Sequence, residues 1–188
     1  RKGRVRAAMA SRVLQEMARG DIPVLIARAP EFYGPSGTKS FTNGLVIDPL
    51  KAGRKARVPV RDDRLRTLIW TPDASRALAL LGNAPDAFGQ TWHLPCDDAR
   101  LTYRQFVALA AELLGREPSY RVLPRAVLTA AGLVSRPLRE MRELLPRYAH
   151  DNLFESSKFK RRFPEFAVTG YREGLGRIAA EVCTAPSA

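Results

Sequence analysis

The stretch that decides the fold is Ile22-Pro23-Val24-Leu25-Ile26-Ala27-Arg28-Ala29-Pro30-Glu31-Phe32-Tyr33-Gly34-Pro35-Ser36. Its first half is a short apolar run with β-branched residues, bounded by turn formers, and Val24 to Arg28 reads as a buried strand. The run stops at Pro30, and Gly34-Pro35 turns the chain. A buried strand that ends in a Pro/Gly loop is where open α/β sheets place ligands, outside the carboxyl ends of the strands.

Outward from this point, Arg4 to Arg19 reads as a helix. Val5, Met9, Val13, Leu14 and Met17 follow a helical period, and Gly20 closes it. Helix, tight turn and buried strand form the second half of a βαβ crossover, which predicts a parallel sheet whose earlier strand precedes residue 1. Downstream, a helix is expected over Asn43 to Lys51. Short strands are expected over Arg57 to Val60 (an edge strand, because Pro59 lacks a donor) and over Arg66 to Thr71. A helix follows from Pro72 to Leu81 with Thr71 as its N-cap, then a strand over Gln90 to Leu94. Thr102 caps a helix to Leu114, and Tyr120 to Leu123 is a strand. Four more helices are expected: from Pro124 to about Val134, from Pro137 to Leu145, from Ser156 to Phe163, and from Tyr171 to Val182. The order fits the tail of a parallel α/β sheet passing into a smaller α+β lobe.

The totals narrow the classes. With 188 residues and 45% hydrophobic content the chain can bury a sizeable core. No apolar run reaches the roughly 18 residues of a membrane span. Arg1-Lys2-Gly3-Arg4 is not a signal peptide and suggests a fragment or processed chain. Cys96 and Cys183 fit no metal or redox spacing, so two free thiols and a cytoplasmic setting are expected, with no metal site. The net charge of +12 comes mostly from scattered arginines. The densest cluster, Lys158 to Phe163, has helical apolar spacing and reads as a solvated helix face, with nucleic-acid binding as the minor alternative.

Four segments carry a family resemblance. Ile26 to Pro35 looks like the strand and loop R-x-x-x-x-Y-G-P; Arg66 to Ala77 looks like R-x-[FW]-[VI]-x-[VT]-x-D-x-A-x-A. Gly89 to Pro95 looks like G-x-x-[FW]-[NH]-[LV], and Leu101 to Gly115 looks like the helix opened by T-x-x-E/Q-F. Each is weak alone; their order and spacing together cover about residues 1 to 180. On these motifs the chain resembles the C-terminal half of extended or atypical short-chain dehydrogenases/reductases, the NAD(P)-dependent epimerase/dehydratase family. The fold so implied is α/β, the tail of a Rossmann-like parallel sheet plus a smaller α+β substrate-binding lobe. Residues 1–35 would close the dinucleotide-binding domain, 36–183 would form mainly the substrate-binding lobe with returning Rossmann elements near 57–94, and 184–188 would be a frayed tail.

The resemblance implies hydride transfer between a nicotinamide and a nucleotide-sugar-like hydroxyl or carbonyl substrate. It implies NAD or NADP as cofactor, a small-molecule partner, and compatibility with a homodimer. Ala29, Pro30, Phe32 and Tyr33 would lie against the nicotinamide. Ser40, Phe41 and Asn43 would line the substrate pocket, and Arg66 would clamp the substrate diphosphate, for which a planar guanidinium suits. The residues have plainer readings as well: Arg28 as an internal structural arginine, Tyr33 as a buried aromatic with a satisfied hydroxyl, Arg66 as a surface strand arginine, His93 as a packed or edge histidine, and Asp73 as a helix-start charge.

Two departures matter. No G-x-x-G-x-x-G turn occurs, so the main cofactor-binding half would stand upstream. The family's catalytic Tyr and Lys, four residues apart, sit on the helix before the opening strand, and this helix has no Tyr. The common family spacing puts Arg6 in the lysine register and Lys2 in the tyrosine register. A helix and turn one turn longer would make Lys2 the catalytic lysine, with its tyrosine before residue 1. A non-catalytic dinucleotide-sensing or interaction module of the same fold is the alternative.

Overall fold

The computed structural model describes residues 2–134, 139 and 142–184. Helix α1 (Lys2–Arg19) leads through Gly20, at φ +75°, into strand β1 (Ile26–Arg28). Pro30 then interrupts the chain, which resumes as strand β2 (Glu31–Tyr33). The expected loop after Pro30 is therefore a second strand. The proline ends one set of ladder bonds, and the chain re-enters beside a different partner.

Asn43–Ile47 forms a π-helical turn that runs into an α-helical turn at Asp48–Lys51; together they are α2. Strands β3 (Ala56–Pro59), β4 (Leu65–Arg66) and β5 (Leu68–Trp70) lead into α3 (Thr71–Gly82). Strands β6 (Thr91–His93) and β7 (Leu101–Thr102) precede α4 (Tyr103–Leu113). Strand β8 (Tyr120–Leu123), α5 (Arg125–Val134), a 3-10 segment at Arg142–Tyr148, α6 (Ser157–Arg162) and α7 (Tyr171–Thr184) complete the chain. Of the helix expected over Pro137 to Leu145, the first part lies largely outside the described residues. The described end is 3-10, with Pro146 inside it. The expected frayed tail lies outside them too.

Strands pair as β1 with β6, β2 with β5 and β3 with β8, all parallel, while β4 and β7 are antiparallel. The parallel expectation holds: Ile26 N–H donates to the Gln90 carbonyl at 3.0 Å, and Leu94 N–H donates to Arg28 at 2.8 Å.

Strand β5 is the hinge between two cores. Leu68 and Trp70 enter one cluster with Tyr33, Phe106, Tyr171 and Ile178, whereas Ile69 enters another with Leu81, Trp92 and Phe159. The alternation follows from successive strand side chains pointing to opposite faces.

Two helix starts test the capping expectations. Thr102 forms a full capping box with Gln105, as its sequence position suggests. Thr71 does not cap α3. Trp70 is the N-cap, and the Thr71 hydroxyl instead donates to the Tyr33 carbonyl at 2.9 Å, tying the start of α3 to β2. Asp73 is structural: it is buried and accepts from Thr169 N–H at 2.6 Å and Thr169 Oγ1 at 3.0 Å.

Candidate ligand pocket

The loop after β1 opens onto a cavity of about 590 Å³. Ala29, Pro30 and Phe32 form one wall, and Ser40 and Phe41 form the next. Leu144 and Tyr148 approach from the 3-10 segment, while Arg6, on α1, Lys39 and Arg147 bring three cations. Of the eight residues expected for cofactor or substrate, the structure brings five into this cavity. A larger cleft of about 770 Å³ lies between α3 and the Phe163–Ala167 segment. Its arginines are paired, Arg76 with Asp73 and Arg162 with Asp86, and it lies away from the loop.

The remaining three expected residues are interior. Tyr33 is 1% exposed, its ring 5.2 Å from Trp70 and 5.6 Å from Phe106. It faces the core because alternation along β2 leaves Phe32 on the outside and Tyr33 within. Its hydroxyl finds no hydrogen-bond partner among the described residues, so the satisfied hydroxyl expected for a buried tyrosine is not present. Asn43 is buried and clamps the turn: Gly34 N–H donates to its Oδ1 at 3.1 Å, and its Nδ2 donates to the Gly34 carbonyl at 2.8 Å.

Arg66 is 2% exposed, neither a surface strand arginine nor open to solvent as it stands. Its Nη2 donates to Glu31 Oε2 at 3.0 Å, its Nη1 donates to the Arg147 carbonyl at 2.8 Å, and the guanidinium lies 4.6 Å over the Tyr148 ring. Lys2 begins α1, and its side chain lies outside what the structure describes. Arg28, expected inside, is exposed at the carboxyl end of β1. His93 stacks on Phe154 at 4.2 Å with Nδ1 at 2.7 Å from the Glu155 carbonyl, a packed histidine.

Glu31 organises the cavity floor. Its Oε1 accepts from the hydroxyls of Tyr103 and Tyr148, each at 2.9 Å, and from Thr42 Oγ1 at 3.4 Å. Arg147 Nη2 stands 3.8 Å from Oε2. Burial, and next the Glu31 charge, push both phenols well above the ordinary tyrosine value, so they stay neutral donors. No activated phenolate is built here.

Sequence reasoning missed Glu31, Lys39, Arg147, Tyr103 and Tyr148 as site groups. Glu31 carried a signal, an acid between Pro30 and Phe32 in an otherwise apolar segment. Arg147 and Tyr148 carried none, because they reach the site through a long-range return of the chain. Among the described residues no cluster of His, Cys, Asp or Glu could hold a metal ion, and both cysteines are free.

No family model and no curated protein matches the chain. Its fold is similar to that of dTDP-glucose 4,6-dehydratase from Bacillus anthracis str. Ames in complex with NAD, with a TM-score of 0.65 at 14% identity over 93% of this chain and 49% of that one. UDP-glucuronic acid 4-epimerase from Bacillus cereus, in complex with UDP-glucuronic acid and NAD, gives 0.62 at 13% identity over 86% and 46%. RMD from Pseudomonas aeruginosa, complexed with NADPH, gives 0.62 at 17% identity over 92% and 52%. The fold is thus the mixed α/β architecture of these epimerase and dehydratase structures, as the four motifs imply, and the chain spans about half the length of each.

Proposed function

We propose that the chain forms the substrate-facing half of an NAD(P)-dependent epimerase/dehydratase-like oxidoreductase acting on a nucleotide-sugar-like hydroxyl or carbonyl compound. The observation that carries this reading is the 590 Å³ cavity, which joins the apolar wall Ala29, Pro30 and Phe32 to a polar wall and three cations. Residues 1–35 then belong with the dinucleotide-binding domain and most of 36–183 with the substrate lobe. Two free thiols suit a cytoplasmic setting.

The apolar wall fits one face of a nicotinamide ring, whereas no glycine-rich turn for a pyrophosphate occurs in the sequence. When bound, the nicotinamide supplies or accepts the hydride. This chain's own residues do the rest. Ala29, Pro30 and Phe32 would set which ring face meets the substrate and exclude water from it. Ser40 would accept from a substrate hydroxyl, since its own proton is donated to Asn43 Oδ1 at 3.0 Å. Arg6, Lys39 and Arg147 would hold the substrate's phosphates. Arg66 would act behind them, fixing Glu31 and the Arg147 backbone. Lys2, four residues before Arg6 and so about one turn away along α1, is the candidate for the proton-handling lysine.

Calorimetric titration with UDP-glucose tests the substrate side. Binding that weakens at least about fivefold in a Lys39→Ala/Arg147→Ala variant supports the reading, and absence of binding to the unaltered chain removes it. Fluorescence titration with NADH tests the cofactor side. Weak or no binding is expected, and a Kd of a few micromolar would overturn the claim that the main cofactor site lies outside this chain.

A further inference from the structure

We propose that Glu31 is a specificity-determining residue of this cavity, its Oε2 accepting a hydrogen bond from a hydroxyl or amino group at the inner end of a ligand whose anionic end lies among the rim cations. The inference rests on the reading of the cavity given above and adds the direction in which the ligand lies.

Glu31 lines the cavity although only 8% of it is exposed. The two carboxylate oxygens differ in what they still have to offer. Oε1 is saturated by two tyrosine hydroxyls at 2.9 Å, with Thr42 Oγ1 at 3.4 Å. Oε2 accepts one bond, from Arg66 Nη2 at 3.0 Å, while Arg147 Nη2 at 3.8 Å is beyond hydrogen-bond distance. A carboxylate oxygen has two lone-pair sites, so Oε2 keeps one acceptor position. Arg147, whose Nη2 neighbours Oε2, has a side chain 37% exposed and lines the cavity with Glu31, so this part of the carboxylate stands next to the ligand space.

Charge then orders the ligand. A fixed carboxylate attracts a proton donor and repels a phosphate, while Arg6 and Lys39, both exposed at the rim, do the reverse. The inner end joins the Glu31 carboxylate to Arg66 at 3.0 Å and Arg147 at 3.8 Å, whereas Arg6 and Lys39 have no carboxylate beside them among the other lining residues, so the stronger pull on a phosphate is at the rim. The cavity selects a molecule with a hydroxyl- or amino-bearing body and a phosphate or diphosphate at its far end.

Three probes separate the ends in calorimetric titrations of the chain: inorganic pyrophosphate, UDP and UDP-glucose. UDP-glucose is expected to bind about tenfold more tightly than UDP. Glu31→Gln should reduce that ratio to about twofold, while pyrophosphate affinity holds or rises because Arg66 loses its acid. A merely structural role for Glu31 would instead lower pyrophosphate, UDP and UDP-glucose affinity together and leave the ratio unchanged. Near-UV circular dichroism checks that each variant is folded. Should Glu31→Gln not fold, Glu31→Asp, which retracts the carboxylate by one methylene, is expected to show the same loss of ratio. Equal binding of UDP and UDP-glucose to the unaltered chain, or an unchanged ratio in the position-31 variant, overturns the role of Glu31 and leaves the basic rim standing. No binding of pyrophosphate or UDP overturns the reading of the cavity and this inference with it.

Discussion

At the residue scale the molecule turns on one buried acid and one buried base. Glu31 and Arg66 are 8% and 2% exposed, and Glu31 is also the acceptor for two phenols. Removing one partner of such a pair strands the other charge in the interior, so Glu31→Ala should destabilise the fold by about 3–5 kcal/mol in denaturant unfolding. A Glu31→Met/Arg66→Met double variant should recover only part of that loss, because it removes the stranded charge but leaves the Tyr103 and Tyr148 hydroxyls without their acceptor. The phenols set the alkaline limit. Tyr103, Tyr148 and Tyr171 all titrate above the usual tyrosine value, chiefly through burial. Each therefore holds its proton more tightly folded than unfolded. Below about pH 10 both states are protonated and the stabilisation is complete. Above it the unfolded chain loses protons first, and stability falls by up to about 1.4 kcal/mol per pH unit for each phenol. Thermal unfolding from pH 8 to 11 should show a declining Tm, with a shallower decline in Tyr148→Phe. Residue roles were the least legible part of the sequence. Tyr33 and Asn43 stand close to cavity residues in the chain yet face inward, Tyr33 by the alternation of β2 and Asn43 by its two hydrogen bonds to the Gly34 backbone. Val60 gave no signal at all: a β-branched residue at φ +65°, with Arg61 N–H donating back to the Pro59 carbonyl at 2.8 Å, it holds a tight turn that sequence patterns favour for glycine.

At the element scale, periodicity and punctuation carried far. The helices expected around residues 4–19, 72–81, 102–114 and 171–182 all form, because apolar spacing and caps act locally. Thr102→Ala should cost about 1 kcal/mol by freeing the Gln105 N–H that its hydroxyl satisfies at 3.2 Å, read as a lower urea midpoint with an unchanged slope. The strand after Pro30 leaves no local signal for a physical reason: a proline marks where one ladder ends but not whether another begins. Strand β2 exists because β5 lies alongside it, a partner more than thirty residues away that no local pattern reveals. Close approach between elements is equally silent. A Cβ at Gly174 of α7 would stand 2.6 Å from Tyr33 Oη and 3.1 Å from Trp70. Gly174→Ala should therefore lower stability by about 1–3 kcal/mol despite its favourable helix propensity.

At the scale of the whole molecule, charge and core organisation decide behaviour. The net charge is +12, but the densest basic stretch is largely engaged. Lys158 sits 4.1 Å over the Trp92 ring, Lys160 pairs with Asp98 at 2.7 Å, and Arg162 pairs with Asp86 at 2.7 Å. Paired cations release few counterions from a polyanion, so retention on immobilised duplex DNA should vanish by about 0.2 M salt and show only a shallow salt slope. Because β5 contributes to both core clusters, damage on either face should be felt by the whole. The overall fold was legible from four weak motifs in the right order. The cavity was only partly legible, since its wall is local in sequence while its floor joins residues 31 and 148, with Tyr103 bonded to Glu31 from the interior.

The tie between Glu31 and Arg66 bears on how such a molecule can change over generations. While the acid is present, the arginine is an internal counter-charge. A single replacement at position 31 by a smaller neutral residue would leave a buried guanidinium 4.6 Å above Tyr148 with room beside it where the carboxylate stood. The same arginine would then be a receptor for an anion. One codon thus separates a lineage in which this side chain holds the scaffold together from one in which it holds a phosphate.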